Sequence, residues 1–211
     1  MHILAHRGWW LKPEENNSLA ALTRALEAGF GVETDLRDRD GQLVIAHDPP
    51  TARSPLFAEL LDRIGLRPGP CPTLALNIKA DGLQSLVTTA LNGRHDWSAW
   101  VFDMSAPETV RYLDEPTPVF VRQSEYEPEP ILYERARGIW LDAFDCDWYD
   151  ERLIRLHLEC GKKVALVSPE LHGRSHRPLW NAIRELQGCD GWGDLYLCTD
   201  RPQEARGFFY G

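Results

Sequence analysis

The chain has 211 residues, 43% of them hydrophobic, and a formal net charge of −9, a size that suits one α/β domain of barrel dimensions or a compact doubly wound sheet. The acidic balance, with no basic run and no aromatic residues interleaved among basic ones, argues against a nucleic-acid partner. No apolar stretch approaches the ~18 residues needed to cross a bilayer, which argues against stable membrane insertion.

In chain order, Ile3-Leu4-Ala5 reads as a first strand, closed by His6-Arg7-Gly8. Asn17-Ser18 marks a helix start, with Leu19, Leu22, Ala25 and Leu26 on one face and Gly29 as the stop. Phe30-Gly31-Val32 begins a second strand that runs into Glu33-Thr34-Asp35. Asp40-Gly41 is a tight-turn signal, so Leu43-Val44-Ile45-Ala46 returns as a hairpin arm, closed by His47-Asp48. Further strands are expected over residues 73–78, 100–103, 118–122, 138–142, 163–167 and 195–199. Helices are expected over 83–91, 107–113, 150–160 and 179–186. Strands alternating with helices imply a parallel sheet. With the hairpin arm set aside, eight strands remain, the number of a TIM-like (β/α)8 barrel. The short segments between Asp103 and Asp142 leave room for outer helices reduced to single turns. A doubly wound sheet is the structural alternative, but it binds phosphates at a glycine-rich first turn, and His6-Arg7-Gly8-Trp9-Trp10 is not one.

The first quarter of the chain thus delivers two histidines, two carboxylates and an arginine to strand ends, where α/β folds place their chemistry. Glu33 and Asp35 are two apart on a strand, so both side chains face one way. Two hard oxygen donors on one face suit Mg²⁺ or Ca²⁺ better than zinc. The alternative is a solvated strand end or an ion pair with Arg37 or Arg39. His6 and His47 are the acid/base candidates, because imidazole exchanges protons near neutral pH. His6 is assigned to the attacking oxygen and His47 to the leaving alkoxide, with the reverse assignment open. Asp48 or a backbone carbonyl would orient an imidazole. Arg7 matches phosphate geometry, or else ion-pairs with Glu33 or Asp200. Lys79 reads as a second phosphate contact or as a countercharge to the carboxylates. Gly8 lets the backbone turn sharply. Trp9 and Trp10 either stack on a headgroup or cap the barrel.

Arg122, Glu170 and His172 end later strands and are either readers of the leaving group or ordinary rim residues. Asp142, Asp145 and Asp147 read as a solvated acidic loop, and His2, His95, His157 and His176 as structural histidines. The five cysteines, Cys71, Cys146, Cys160, Cys189 and Cys198, fall in no zinc-type spacing. Their odd number and the lack of an N-terminal apolar signal segment point to reduced thiols in a cytoplasmic protein.

The run from Ala5 to Asp48, AHRG…PEENNSLAALTRALEAGFGVETDLRDRDGQLVIAHD, resembles the N-terminal signature of the glycerophosphodiester phosphodiesterase family: HRG, a PENT-like segment, E-x-D, DG and HD. LNIK (Leu76 to Lys79), VFDMS (Val101 to Ser105) and CTDRP (Cys198 to Pro202) resemble later family motifs in the same order. The resemblance implies one TIM-like barrel domain over residues 1–211, a divalent metal (Mg²⁺ or Ca²⁺) and a two-histidine mechanism. It also implies a distant relation to phosphatidylinositol-specific phospholipases C and spider-venom phospholipases D. There are departures. Asn77 stands where the family has a glutamate metal ligand, so the site holds two negative charges instead of three. The PENT-like segment carries an extra residue, and the seventh-strand end reads VSPELH in place of W-T-V-N.

The combined reading is a metal-dependent phosphoric diester hydrolase acting on a small glycerophosphodiester or related sugar-linked diester. Its site is His6 and His47 as acid/base, Arg7 and Lys79 on phosphate, and Glu33, Asp35 and Asn77 on the metal. The alternatives are a phosphodiester-binding barrel that lost turnover with its third carboxylate, and a phospholipase of type C or D.

Overall fold

The structure is a computed structural model that describes residues 1–66, 72–94 and 98–211; Cys71 and His95 lie outside them. Two compact units are present, Ala5–Val119 and Met1–Leu4 with Phe120–Gly211. The first strand, β1 (His2–His6), has residues in both.

In the unit of residues 5–119, β1 is followed by α1 (Leu19–Glu27), β2 (Gly31–Arg39), β3 (Gln42–Ile45), α2 (Phe57–Gly65), β4 (Thr73–Ile78), α3 (Gln84–Leu91), β5 (Ser98–Phe102) and α4 (Ala106–Tyr112). The strands lie in the order β1-β2-β4-β5, with β3 paired to β2 off that path. Ser18 caps α1 by accepting the Ala21 N–H at 3.1 Å, and Ala21, Leu22, Ala25 and Leu26 are the buried face. Asp40 and Gly41 have φ of 51° and 76°, the left-handed pair that a two-residue hairpin turn requires, and they close β2 onto β3 at Arg39–Gln42. β2 and β4 are parallel, with Asp35 beside Asn77.

The other unit contains β6 (Phe120–Gln123), β7 (Gly138–Leu141), α5 (Glu151–Glu159), β8 (Lys163–Val167), α6 (Arg177–Arg184), β9 (Leu195–Thr199) and α7 (Pro202–Tyr210). Its strand order is β6-β7-β8-β9-β1. β7 and β9 are buried at every position, as parallel strands covered on both faces must be.

Apart from the β3 arm, each strand neighbours the next in sequence, and a parallel bridge between Val101 and Val119 extends that relation from β5 to the residue before β6. A doubly wound sheet reverses its strand order at a switch point. This one does not, and the eight parallel strands have the topology of a TIM-like barrel, as expected. The reduction of outer helices also holds: residues 124–137 between β6 and β7 form turns and no helix. α2 and α7 are absent from the sequence-based expectation. The signal for α2 was present, since Phe57, Leu60, Leu61 and Ile64 have the i, i+3, i+4, i+7 spacing and all are buried. α6 starts two residues earlier than expected because Pro178 sits in its first turn, where a missing N–H is not needed.

No helix among the described residues is long and apolar enough to cross a membrane. Cys146, Cys160 and Cys189 are free thiols, and Cys198 is buried in β9. His2 stacks on Tyr196 and His176 on Trp180. His157 is buried on α5, its Nδ1 2.9 Å from the Tyr133 hydroxyl and its Nε2 2.8 Å from Gln123 Oε1. Burial first, then the nearby Lys162 charge, pushes its pKa down to about 4. The unfolded chain therefore binds a proton there that the folded chain refuses, and stability falls as pH drops from about 6.5 toward 4. Over that window we expect a loss of about 1–2 kcal/mol after discounting for solvent screening. A His157→Gln variant should show a flatter dependence of melting temperature on pH across the same range.

Candidate active site

All seven residues selected from the sequence lie in the unit of residues 5–119, on or just past neighbouring strands β1, β2 with its hairpin arm β3, and β4; Glu33 and Asp35 lie inside β2 and not at its end as expected, because the strand runs on into the hairpin to Arg39. β1 ends at His6, whose Nε2 is 3.9 Å from Glu33 Oε2. The chain then turns through Arg7 and Gly8, with φ of 55° and 89°. A Cβ on Gly8 would stand 2.7 Å from the Ala21 carbonyl carbon and 2.7 Å from the Leu22 nitrogen, both in the backbone of α1. Only glycine fits, and the close approach holds Arg7 where its N–H donates to Glu33 Oε2 at 3.2 Å. Gly8→Ala should therefore destabilise the fold by about 2 kcal/mol or more, from φ strain together with the displaced helix. Thermal unfolding measures it.

Alternation along β2 puts Glu33 and Asp35 on one face, and both are buried. Burial, reinforced by the Asp35 charge, raises the pKa of Glu33 above the usual carboxylate range, while His6 and Arg7 oppose the shift. Asp35 is the hub. It accepts a hydrogen bond from Asn17 Nδ2 at 2.8 Å and lies 3.2 Å from Arg7 Nε, 3.3 Å from His47 Nδ1 and 3.7 Å from Lys79 Nζ. The alternative partners of the acidic pair are engaged elsewhere: Arg37 donates to the His47 carbonyl, and Arg39 pairs with Asp40.

His47 follows the hairpin arm, and its Nδ1 is also 3.0 Å from Arg7 Nη2. The partner at this imidazole is Asp35, where the sequence offered Asp48 or a backbone carbonyl, because register brings Asp35 alongside the β3 end: the Ala46 N–H donates to the Asp35 carbonyl at 3.0 Å. Arg7 pairs with Asp35 through its side chain, and meets Glu33 only through its backbone. Lys79, just past β4, is held 2.9 Å from Asp103 Oδ2. Asp103 itself has φ of 70°, a strained setting for a non-glycine residue.

Asn77 lies beside Asp35 across the β2–β4 pair, and its Oδ1 is buried with no hydrogen-bond partner. Two buried carboxylates and an orphaned amide oxygen are an all-oxygen donor set, so the residues fit a hard divalent metal. No group of three or more His, Cys, Asp or Glu side chains suited to a metal occurs among the described residues; the third donor here is an amide.

Asn17 is the organising residue that sequence reasoning assigned only to a helix start. At φ of 60° it accepts from Thr34 Oγ1 at 2.8 Å while its Nδ2 holds Asp35, so it locks the middle of β2 to the loop after β1. Asparagine tolerates this conformation and carries both donor and acceptor. The signal was the doubled asparagine ahead of the serine cap. Trp9 packs edge-on against Phe30, and Trp10 Nε1 donates to the His6 carbonyl.

In the other unit, Glu170 is consumed by Ser168, Thr199 and the Asp200 N–H. His172 pairs with Asp142 at 2.8 Å, and Arg122 lies over Phe144, which also meets His172. The acidic loop is tied down and not merely solvated: Asp145 binds Tyr126, and Asp147 binds Arg174.

No protein-family model matches the chain, and no curated protein matches it in sequence. Solved structures do match. A phosphodiesterase of Oleispira antarctica, in complex with the product sn-glycerol-3-phosphate, superposes with a TM-score of 0.69 at 18% identity over 100% of this chain and 97% of that one. The glycerophosphodiester phosphodiesterase of Thermotoga maritima gives 0.70 at 17% identity over 96% and 95%. A Ca²⁺-dependent phosphatidylinositol-specific phospholipase C from Streptomyces antibioticus gives 0.57 at 11% identity over 99% and 95%. At such identities the likeness establishes the fold: this chain has the barrel fold that the glycerophosphodiester phosphodiesterases have.

Proposed function

We propose that the protein is an enzyme, a metal-dependent phosphoric diester hydrolase acting on a small glycerophosphodiester or a related sugar-linked diester. The observation that carries this reading is the gathering of His6 and His47 around the buried Glu33–Asp35 pair, with the Asn77 oxygen orphaned beside it. The product-bound phosphodiesterase and the Ca²⁺-dependent phospholipase among the structural neighbours support a small phosphate ester as substrate and a divalent metal.

Glu33, Asp35 and Asn77 would hold Mg²⁺ or Ca²⁺, which when bound neutralises charge on phosphoryl oxygens. His6 takes the proton from the attacking oxygen, either of water or of a neighbouring substrate hydroxyl. His47 returns a proton to the leaving alkoxide. Arg7 and Lys79, both on Asp35 here, supply the donors that meet the phosphate. Asp35 fixes the His47 ring. The free thiols of Cys146, Cys160 and Cys189 support a reducing, cytoplasmic setting.

The test is hydrolysis of bis(p-nitrophenyl) phosphate and glycerophosphocholine with Mg²⁺, Ca²⁺ or Mn²⁺, and with EDTA. Metal-stimulated cleavage abolished by EDTA is the expected result. Phosphate-ester binding with no cleavage under any metal would replace the hydrolase by the binding barrel. A cyclic phosphate in the phosphorus NMR spectrum would identify the substrate hydroxyl as nucleophile.

A further inference from the structure

Asp35 divides its partners unequally between its two oxygens. Oδ2 accepts from Asn17 Nδ2 at 2.8 Å and faces Arg7 Nε at 3.2 Å. Oδ1 meets His47 Nδ1 at 3.3 Å and Lys79 Nζ at 3.7 Å, the second contact being beyond hydrogen-bond range. The Lys79 ammonium donates instead to Asp103 Oδ2 at 2.9 Å. It therefore stands between two carboxylates that flank β4, one on β2 and one just past β5, and its closer partner is the one outside the Glu33–Asp35 pair.

That partnership depends on the backbone of Asp103. β4 and β5 are parallel, with Asn77 beside Phe102. Paired residues of neighbouring strands share a face, so Phe102 shares one with Asn77, and Lys79 is two residues further along that face. Strict alternation would send the next side chain, Asp103, to the opposite face with the buried Ile78 and away from Lys79. The φ of 70° at Asp103 breaks the alternation and brings its carboxylate back to the lysine. Aspartate tolerates this conformation better than most side chains, but it is strained there, and strain of this kind gathers at functional sites.

We propose that Asp103 is a positioning residue: it holds the Lys79 ammonium back from Asp35 Oδ1, so that this oxygen stays open to a divalent cation and the ammonium stays available to the phosphate. The inference rests on the reading of Glu33, Asp35 and Asn77 as a cation site, and deepens it. Asn77 brings no charge, so the donor set has two carboxylates. An ammonium in full contact with Asp35 would compete with the cation for one of them. Without Asp103, Asp35 is the carboxylate left within reach of Lys79, and the ammonium closes onto Oδ1.

The experiment measures calorimetric Kd values for Mg²⁺ and Ca²⁺, without substrate, in the parent, Asp103→Gly, Lys79→Met and the double variant. Glycine adopts a φ of 70° without strain, so Asp103→Gly keeps the backbone and should melt close to the parent. Asp103→Gly is expected to weaken cation binding about tenfold or more with Lys79 present, but by less than about threefold in the Lys79→Met background, where no ammonium can close onto Asp35. Loss of a negative charge alone would weaken binding equally in both backgrounds. Equal losses therefore overturn the proposal, as does an unchanged Kd in Asp103→Gly. If the parent binds neither cation, the cation site falls, and the crystal structure of metal-free Asp103→Gly decides the restraint of Lys79 by itself. Lys79 Nζ within hydrogen-bond distance of Asp35 Oδ1 would retain that restraint; Lys79 no closer to Asp35 than in the parent would overturn it.

Discussion

His47→Ala is expected to lower kcat for an alkyl diester by about 10²–10⁴-fold, the range of a single acid/base group. The loss should depend on the leaving group. An alkoxide is a strong base and departs only with a proton, whereas p-nitrophenoxide needs little help. If His47 is the acid, the variant should retain most of its rate on bis(p-nitrophenyl) phosphate while failing on glycerophosphocholine. His6→Ala, which removes the group that accepts a proton from the nucleophile, should lose both substrates to a similar extent. The reverse pattern would exchange the two roles, and equal losses in both variants on both substrates would show that neither histidine acts specifically on the leaving group.

The environment of His47 gives a physical reason for the expected assignment. Its Nδ1 faces both Asp35 Oδ1 at 3.3 Å and Arg7 Nη2 at 3.0 Å. A guanidinium only donates, and a carboxylate only accepts, so the two contacts demand opposite states of Nδ1. When Asp35 receives the Nδ1 proton, Nε2 carries a second proton in the charged ring and none in the neutral one. When Arg7 donates instead, the remaining proton sits on Nε2. The Arg7 contact and the charged ring are thus the two states that present an acid to the leaving group. A phosphate that draws Arg7 away would favour the charged ring, so substrate binding and acid formation are linked through one arginine. Arg7→Lys keeps the charge but loses the fork. It should lower kcat more than it raises KM, and steady-state kinetics on both substrates checks this.

Much of this was legible in the sequence for identifiable reasons. The β1, β4, β8 and β9 strands are continuous apolar runs that parallel pairing buries on both faces, so their extents are set by composition. The Asp40-Gly41 turn fixes the hairpin register, and with it the approach of His47 to Asp35. α2 was missed although its buried face has helical spacing, because Leu56 at its N-cap carries no capping side chain to mark the start. Asn17 was missed as a site residue for a different reason. Its role comes from bonding across sequence to Thr34 and Asp35, and no local period reveals such a contact. The same holds for Asp103, which reaches Lys79 from the next strand. Local propensity marks strand ends; it does not say which polar groups on neighbouring ends meet.

Asn77→Asp is expected to tighten divalent-cation binding by about tenfold or more, equivalent to about 1.4 kcal/mol. The substitution is nearly isosteric, and register holds the side chain beside Asp35. It converts an orphaned neutral oxygen into a third buried carboxylate next to a pair that already repels itself: Asp35 helps to push the pKa of Glu33 up. Without metal the variant should therefore be less stable than the parent. With Mg²⁺ or Ca²⁺ it should gain more, since a ligand that binds only the folded state stabilises it in proportion to the logarithm of its concentration over Kd. The readout is the rise in melting temperature on adding metal, alongside calorimetric Kd values for both proteins. A larger rise and a tighter Kd in Asn77→Asp would place Asn77 among the metal ligands. Identical metal responses would remove it from the metal site, and its unpaired oxygen would then have to be explained by the substrate. Activity adds a separate dimension. Tighter metal with unchanged kcat means that the third charge serves affinity alone, whereas tighter metal with a lower kcat means that the weaker field of an amide is matched to the diester this protein cleaves.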